Sequence, residues 1–453
     1  MSILYTYKKL CQGLKPISIS LSPNTEKDDI RLALKLIFRP WRWKRKLIEA
    51  GFLSTKLEEE FKEYLGVKYA ISFNSGRSAL MAILNSLNLK KESQVLLQAF
   101  TCNAAVNPIL NRGDRPVFVD VDETINLDPI DLKKKITSKS KAVVIQHTFG
   151  LPAQIEEILK IIKDYNPPAT SSHSPKGERA PNNLYLIEDC AHSLGAKYKG
   201  KFCGTFGDAA FFSFGRDKII SSIFGGMAVT NNAKIAGKIK EFQKKTDYPS
   251  NFWIFQQLLH PILTNYLILP AYGLDANLGK IFLGIFHKLS ILSKAVYKKE
   301  KRGKIPKCFP KRLPDALADL ALNQFKKLER FNSHRREIAD FYEKELKNTD
   351  FILPLMRPQE DIIPTFMRYP ILTNLATDKI LELARKRKVY LDDGWHKTPI
   401  VPPDTNIEKM KYIRGSCKRA EKVAQNILNL PTHINISQSE AKKIVDFLKQ
   451  YGS

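Results

Sequence analysis

The sequence predicts an α/β fold: a mainly parallel sheet flanked by helices, followed by a smaller α+β domain at the C-terminal end. Two observations carry this. From about Lys56 to Asn231, short apolar runs bounded by turn residues alternate with helical patterns. That order builds a parallel sheet with helices on its faces. After Lys304 strong helical periodicity returns, followed by one strand-like run, FMRYPILT, and a last helix after SQSEA. The 453 residues, 43% hydrophobic and 26% charged, suffice for a sizeable core and about two or three domains. They exclude a disordered class.

In chain order, LEEEFKEYLG reads as an amphipathic helix stopped by Gly66. YAISF is a short strand, the turn Asn74-Ser75-Gly76 follows, and SALMAILNSL is a helix. QVLLQAF, PVFVDV and AVVIQHTF are strands, each followed by turn residues or a helical stretch. Asn166 to Asn183 is rich in Pro, Ser and Asn and reads as an exposed insertion. Then come the strand LYLIEDC, the hairpin-like KYKGKFCGTFG, and the strands DAAFFSF and GGMAVTN. Ser250 to Leu292 breaks the pattern. Its first part, FWIFQQLLHPILTNYLILPAYGL, has no Asp, Glu, Lys or Arg, and Pro261 and Pro270 are expected to break or kink it. PDALADLALNQFKKLERFNSHRREIADFYEKEL is helical again. The chain thus divides into a basic N-terminal segment (1–55), a large domain (56–245), an apolar insertion (246–303) and a C-terminal small domain (304–453).

The net charge of +27 draws the chain toward polyanions: nucleic acid, anionic lipid or phosphorylated small molecules. The basic residues are spread out, with modest clusters at Trp41 to Lys46, Lys298 to Lys311 and Arg385 to Lys388, and no nucleic-acid motif stands among them. No nucleic-acid partner is expected. The 6 cysteines are scattered without CxxC spacing, which fits a reducing cytosol better than a disulfide framework or zinc site. MSILYTYKKL lacks the apolar core and cleavage site of a signal peptide, so a cytoplasmic setting is expected.

Two stretches carry candidate chemistry. LYLIEDCAHS ends a buried strand on Glu188-Asp189, which places carboxylates at the edge where α/β proteins bind ligands. Read alone, such an acid more often caps the next helix. In FFSFGRDKII, a lysine beside an apolar strand can be desolvated into a Schiff-base nucleophile, although an isolated lysine there is more commonly a surface turn residue. Order joins them. A glycine turn opening a helix at Asn74 to Ala79 offers N–H groups to a phosphate, then follow a strand-end acid, Ser213 and Lys218. Phosphate cradle, pyridinium partner and lysine together form the kit of a pyridoxal phosphate (PLP) site.

The run IEDCAHSLGAKYKGKFCGTFGDAAFFSFGRDK resembles the DegT/StrS family of PLP-dependent sugar aminotransferases. The resemblance covers about Lys56 to Asn231 and about Arg312 to the end. It implies PLP-transferase fold type I, with a mainly parallel seven-stranded sheet, and a homodimer. It implies that Lys218 bonds the cofactor and moves a proton, Asp189 meets the pyridine nitrogen, and His192 contacts the ring or its phenolic oxygen. Ser213, Gly76, Arg77 and Ser78 are implied for the phosphate. Cys102 stands where the family commonly places a ring-stacking aromatic residue, and Arg77 where it usually places Thr. Phe224 stands where Glu usually precedes the glycine pair, and Pro310 where an Asn is lent across the dimer, while Arg312 keeps the nearby charge. His147, near the sheet edge, is expected to line the substrate site with Arg312. The other histidines lack metal spacing, and no metal is expected. The implied reaction moves an amino group from an amino acid, expected to be glutamate, to a nucleotide-linked keto-sugar for cell-surface glycans.

The apolar insertion has no counterpart in that resemblance. It reads as a hairpin packed on the enzyme, a membrane-interfacial element or a span. The prolines and the Gln, His and Asn between them argue against a span, whereas flanking lysines suit the inner face of an anionic membrane.

Overall fold

The computed structural model describes residues 15–44, 52–166, 183–354 and 361–451. Arg45 and Lys46 of the basic tryptophan cluster, and nearly all of the loop from Asn166 to Asn183, lie outside the described residues.

Helix α1 (Lys27–Ile37) precedes α2 (Phe52–Leu65), which buries Leu57, Phe61 and Leu65 and is followed by Gly66 at φ +69°. Strand β1 (Tyr69–Phe73) leads through Asn74 and Ser75 into α3 (Gly76–Ser86), where the Ser75 side chain accepts the Ser78 N–H as an N-cap. Strand β2 (Gln94–Gln98) leads to α4 (Asn103–Arg112), which has Cys102 at its N-cap and ends on Gly113 in the left-handed region at φ +83°. Strands β3 (Arg115–Val119), β4 (Ser140–Gln146), β5 (Tyr185–Asp189), β6 (Ala209–Ser213) and β7 (Gly226–Thr230) complete one seven-stranded sheet. Its order is β1-β7-β6-β5-β4-β2-β3, parallel except that β7 runs against both neighbours. Most of its residues are buried, as expected when helices cover both faces. The KYKGKFCGTFG run forms the expected hairpin, Lys197–Tyr198 against Lys201–Phe202.

Helix α5 (Ala233–Lys244) leads to the insertion. There α6 (Asn251–Leu263) continues through Pro261, widens into a π-helical turn at Thr264–Ile268 and resumes at Leu269–Leu274. The expected break is therefore a widened turn, which accommodates the missing N–H of Pro270 without interrupting the path. Trp253, Ile254 and Leu258 of α6 enter the main core, and α1 packs against α6. Ser22 Oγ lies 2.8 Å from His260 Nε2. After Asp275 caps it, α7 (Ala276–Lys288) runs along the outside. Among the described residues, no helix is long and apolar enough to cross a membrane.

The C-terminal part builds a second core. It lies between α8 (Leu328–Leu346), the antiparallel strands β8 (Arg368–Leu372) and β9 (Ile427–Pro431), and α9 (Gln438–Leu448). Ile400–Val401 returns to the large sheet's edge and pairs in parallel with Thr101–Cys102.

Candidate active site

The carboxyl ends of β1, β4, β5 and β6 open on one side of the sheet. Lys218, Asp189, His192, Ser213, Gly76, Arg77 and Cys102 line a single cavity there. Alternation along a strand decides which neighbours reach it. Asp189 lines the cavity and Glu188 does not. Glu188 instead accepts the backbone N–H groups of Gly204, Phe206 and Gly207 and lies 3.2 Å from His147 Nε2. Gln146 lines the cavity, whereas His147, next along, is buried with Nδ1 accepting the Ala153 N–H. Both ring nitrogens of His147 are thus engaged, and it does not line the cavity, in contrast to the expectation that it lines the substrate site. His147, Glu188 and Cys190 approach one another closely enough to suggest a metal cluster. The Glu188 carboxylate is already engaged by backbone donors, so the group is explained without an ion.

Burial sets the chemistry of the central pair. It pushes the Asp189 carboxyl up to about 6, against the lowering pull of the Ala191 N–H and the Lys218 charge. It pulls the Lys218 amine down to about 8, against the raising effects of Cys102 and Asp189. His192 is held well below the usual histidine range by burial and by the charges of Lys218 and Arg368. Its ring stacks on Phe149 at 5.6 Å and 5°, and Nδ1 accepts the Phe149 N–H at 3.3 Å. The Lys218 loop is fixed from outside the sheet. Asn24 Nδ2 donates to the Lys218 carbonyl and, at 3.2 Å, to that of Ile219. Buried Arg335 donates to Asn24 Oδ1 and to the Ile219 carbonyl at 2.8 and 2.9 Å.

The turn at Gly76 is built for close approach. A Cβ on Gly226 would stand 2.4 Å from the Gly76 nitrogen, and one on Gly76 would stand 2.9 Å from the Ser213 Cβ. The N-terminus of α3 and Ser213 therefore form a tight concave corner. Ser78 is spent within the turn: its hydroxyl lies 2.7 Å from Ser75 Oγ and donates to Asn74 Oδ1, and it does not line the cavity. The Arg77 fork is engaged elsewhere. It pairs with Glu300, donates to the Ala295 carbonyl and lies over the Phe309 ring at 4.6 Å. Arg312 binds the carbonyls of Gln243 and Lys244 at the end of α5 and does not reach the cavity within its own chain.

Several lining residues escaped sequence reasoning. Arg368, at the start of β8, is buried and pairs with Asp393 at 2.7 Å. Asp393 also accepts the Trp395 N–H, and Trp395 packs on His192 at 4.9 Å. Arg216 donates to Ser293, and Ala295 and Val296 of the insertion form a wall. The DDGW run and the charged first residue of a strand were the available signals, but their place depends on how the small domain folds back.

These residues fit PLP. A buried carboxylate taking a single backbone hydrogen bond meets a pyridinium, a helix N-terminus with a serine meets a phosphate, and a lysine with a lowered pKa meets an aldehyde.

Residues 42–171, 178–254 and 285–449 match the DegT/DnrJ/EryC1/StrS aminotransferase family. The chain belongs to this family and is a PLP-dependent aminotransferase. It is similar to the GDP-perosamine synthase of Escherichia coli O157:H7, 26% identical over 88% of this chain and 90% of that one. It is also similar to the dTDP-3-amino-3,6-dideoxy-alpha-D-galactopyranose transaminase of Aneurinibacillus thermoaerophilus, 25% identical over 87% and 89%. Among solved structures, PseC of Helicobacter pylori, an aminotransferase of pseudoaminic acid biosynthesis, superposes with a TM-score of 0.69. It covers 96% of this chain and 99% of that one at 23% identity. The architecture is PLP-transferase fold type I. Residues 255–284 of the insertion fall outside the family match.

Proposed function

We propose that this enzyme transfers an amino group from glutamate to the keto group of a nucleotide-linked sugar, as a cytoplasmic homodimer serving glycan assembly at the inner face of the membrane. The observation that carries the reading is the meeting of Lys218, Asp189 and the α3 corner in one buried cavity at the sheet edge. The relatives named for GDP- and dTDP-sugar products support the acceptor class.

PLP, when bound, supplies an electron sink for the carbanion formed at the donor's Cα. Lys218 would hold its aldehyde carbon, and the pKa lowered to about 8 leaves a far larger neutral fraction near neutral pH than an ordinary lysine has, though still the minority. With the donor bound, Lys218 Nζ would be the base that takes the donor's Cα proton and the acid that returns it on the cofactor side of the amine nitrogen. Asp189, ionised opposite the pyridine nitrogen, keeps that nitrogen protonated. Ser213 and the Gly76 and Arg77 backbone N–H groups hold the phosphate, and Cys102 and His192 bound the ring. Arg216 and Arg368 put guanidinium groups on the cavity wall beside Asp189, Asp217 and Asp393, and such forks favour an acceptor bearing a diphosphate. Arg312 of each subunit is assigned to the partner's substrate.

The test is transfer of label from 15N-glutamate to a panel of GDP- and dTDP-linked keto-sugars, read by mass spectrometry. A labelled amino-sugar nucleotide is expected. Labelled glutamate consumed only by keto acids would contradict the acceptor assignment.

A further inference from the structure

Helix α7 is held to the enzyme along one side. Gly279 sits against the Tyr272 ring, where a Cβ would come within 2.3 Å, and Leu283 and Phe286 pack with Ile268, Tyr272 and Leu292. The other side carries Leu278, Ile281, Ile285 and Leu289, exposed by 37%, 55%, 45% and 63%. Their spacing of three or four residues places them in one stripe. Leu274, 56% exposed, leads into it. Between residues 276 and 299 there is no Asp or Glu, while Lys280, Lys288, Lys294, Lys298 and Lys299 accompany the stripe.

Two features select the occupant. A second copy meeting this stripe about a two-fold axis would bring the same lysines against each other, with no acid in the segment to neutralise them. Anionic lipid satisfies both: the stripe enters the boundary between headgroups and acyl chains, and the lysines meet phosphate oxygens. The helix has 13 residues, a length of about 20 Å, too short for a span and suited to lying in the plane.

We propose that α7 docks the enzyme side-on to an anionic bilayer through Leu278, Ile281, Ile285 and Leu289, with the accompanying lysines on the headgroups. The docked element is continuous with the active site. The chain leaving α7 passes Ser293, held by Arg216, becomes the Ala295–Val296 wall of the cavity, and ends at Glu300, held by Arg77. The cavity is therefore carried next to the lipid surface.

The test is flotation of the full-length enzyme with phosphatidylcholine vesicles, with and without phosphatidylglycerol, at low salt. Cofactor absorbance is read in the same fractions, so that a failed surface and a failed site are told apart. The wild type is expected to float only with phosphatidylglycerol. Ile281→Asp with Ile285→Asp, and separately Lys280→Glu with Lys288→Glu, are each expected to reduce binding by about tenfold or more with the cofactor signal kept. Wild-type enzyme left unbound, or both variants floating like the wild type, overturns the proposal. So does sedimentation in which the aspartate variant halves the particle mass, which would assign the stripe to a second copy.

Discussion

Lys218 and Asp189 are placed where water cannot support the charges they normally carry, and the cofactor makes that arrangement useful. The Asp189 pKa is about 6 in the folded chain, against an ordinary aspartate value of 3.8. The folded state therefore binds this proton more tightly than the unfolded state. Stability from this group is present at low pH and lost as pH rises from about 4 to about 6. Above that window the ionised carboxylate costs the cofactor-free protein about 3 kcal/mol. Asp189→Asn should raise the melting temperature of the cofactor-free protein at pH 7, with the difference vanishing below about pH 4, while weakening cofactor retention. Lys218 contributes in the opposite pH direction. Its amine, near 8, becomes a nucleophile as pH rises, so the rate of cofactor uptake should increase through about pH 8 and level off above it. A stopped-flow pH profile with no inflection there would contradict the burial argument.

The elements that matter are the α3 corner and the end of the insertion. Gly226→Ala would force a Cβ to 2.4 Å from the Gly76 nitrogen. A displacement of this kind costs on the order of 100-fold in activity, read as kcat/KM, with the far-ultraviolet circular dichroism unchanged. Glu300 is fully buried against Arg77. Arg77→Ala strands that carboxylate and should cost about 3–5 kcal/mol in urea denaturation, whereas Arg77→Met with Glu300→Leu should recover much of the loss. These elements also show what the sequence made legible. The strands were readable because buried parallel strands are continuous apolar runs, and the order was readable because the turn, the acid and Ser213 each close a strand and Lys218 follows in the loop after β6. The reversal of β7 was not, since GMAVT is equally apolar in either direction. His147 was misplaced because a strand end turns adjacent residues to opposite faces. The engagement of the Arg77 side chain was not legible because Glu300, its partner, lies more than two hundred residues away in sequence. Arg368 and Trp395 were missed because the small domain brings them in by tertiary packing alone.

At the scale of the whole molecule, the +27 charge and the arginines on the cavity wall favour anionic partners. Affinity for a diphosphate-bearing acceptor should fall with added salt, read as a rising KM at constant kcat, because the screening length shrinks to about 8 Å near physiological ionic strength. Arg312 of the single chain is engaged by the end of α5, so a role at the partner's site requires the homodimer. Mass measurement in solution checks that state, and a monomer with full activity would remove Arg312 from the substrate assignment.

The central claim is that Lys218 bonds the cofactor in an aminotransferase site. Its most direct test is the visible absorption spectrum of the full-length protein with added PLP, recorded before and after glutamate, beside Lys218→Ala. The account predicts a band that requires Lys218 and is bleached by glutamate, with activity of the variant lower by about 10²–10⁴-fold. A band present equally in both proteins, or none in either, would contradict it.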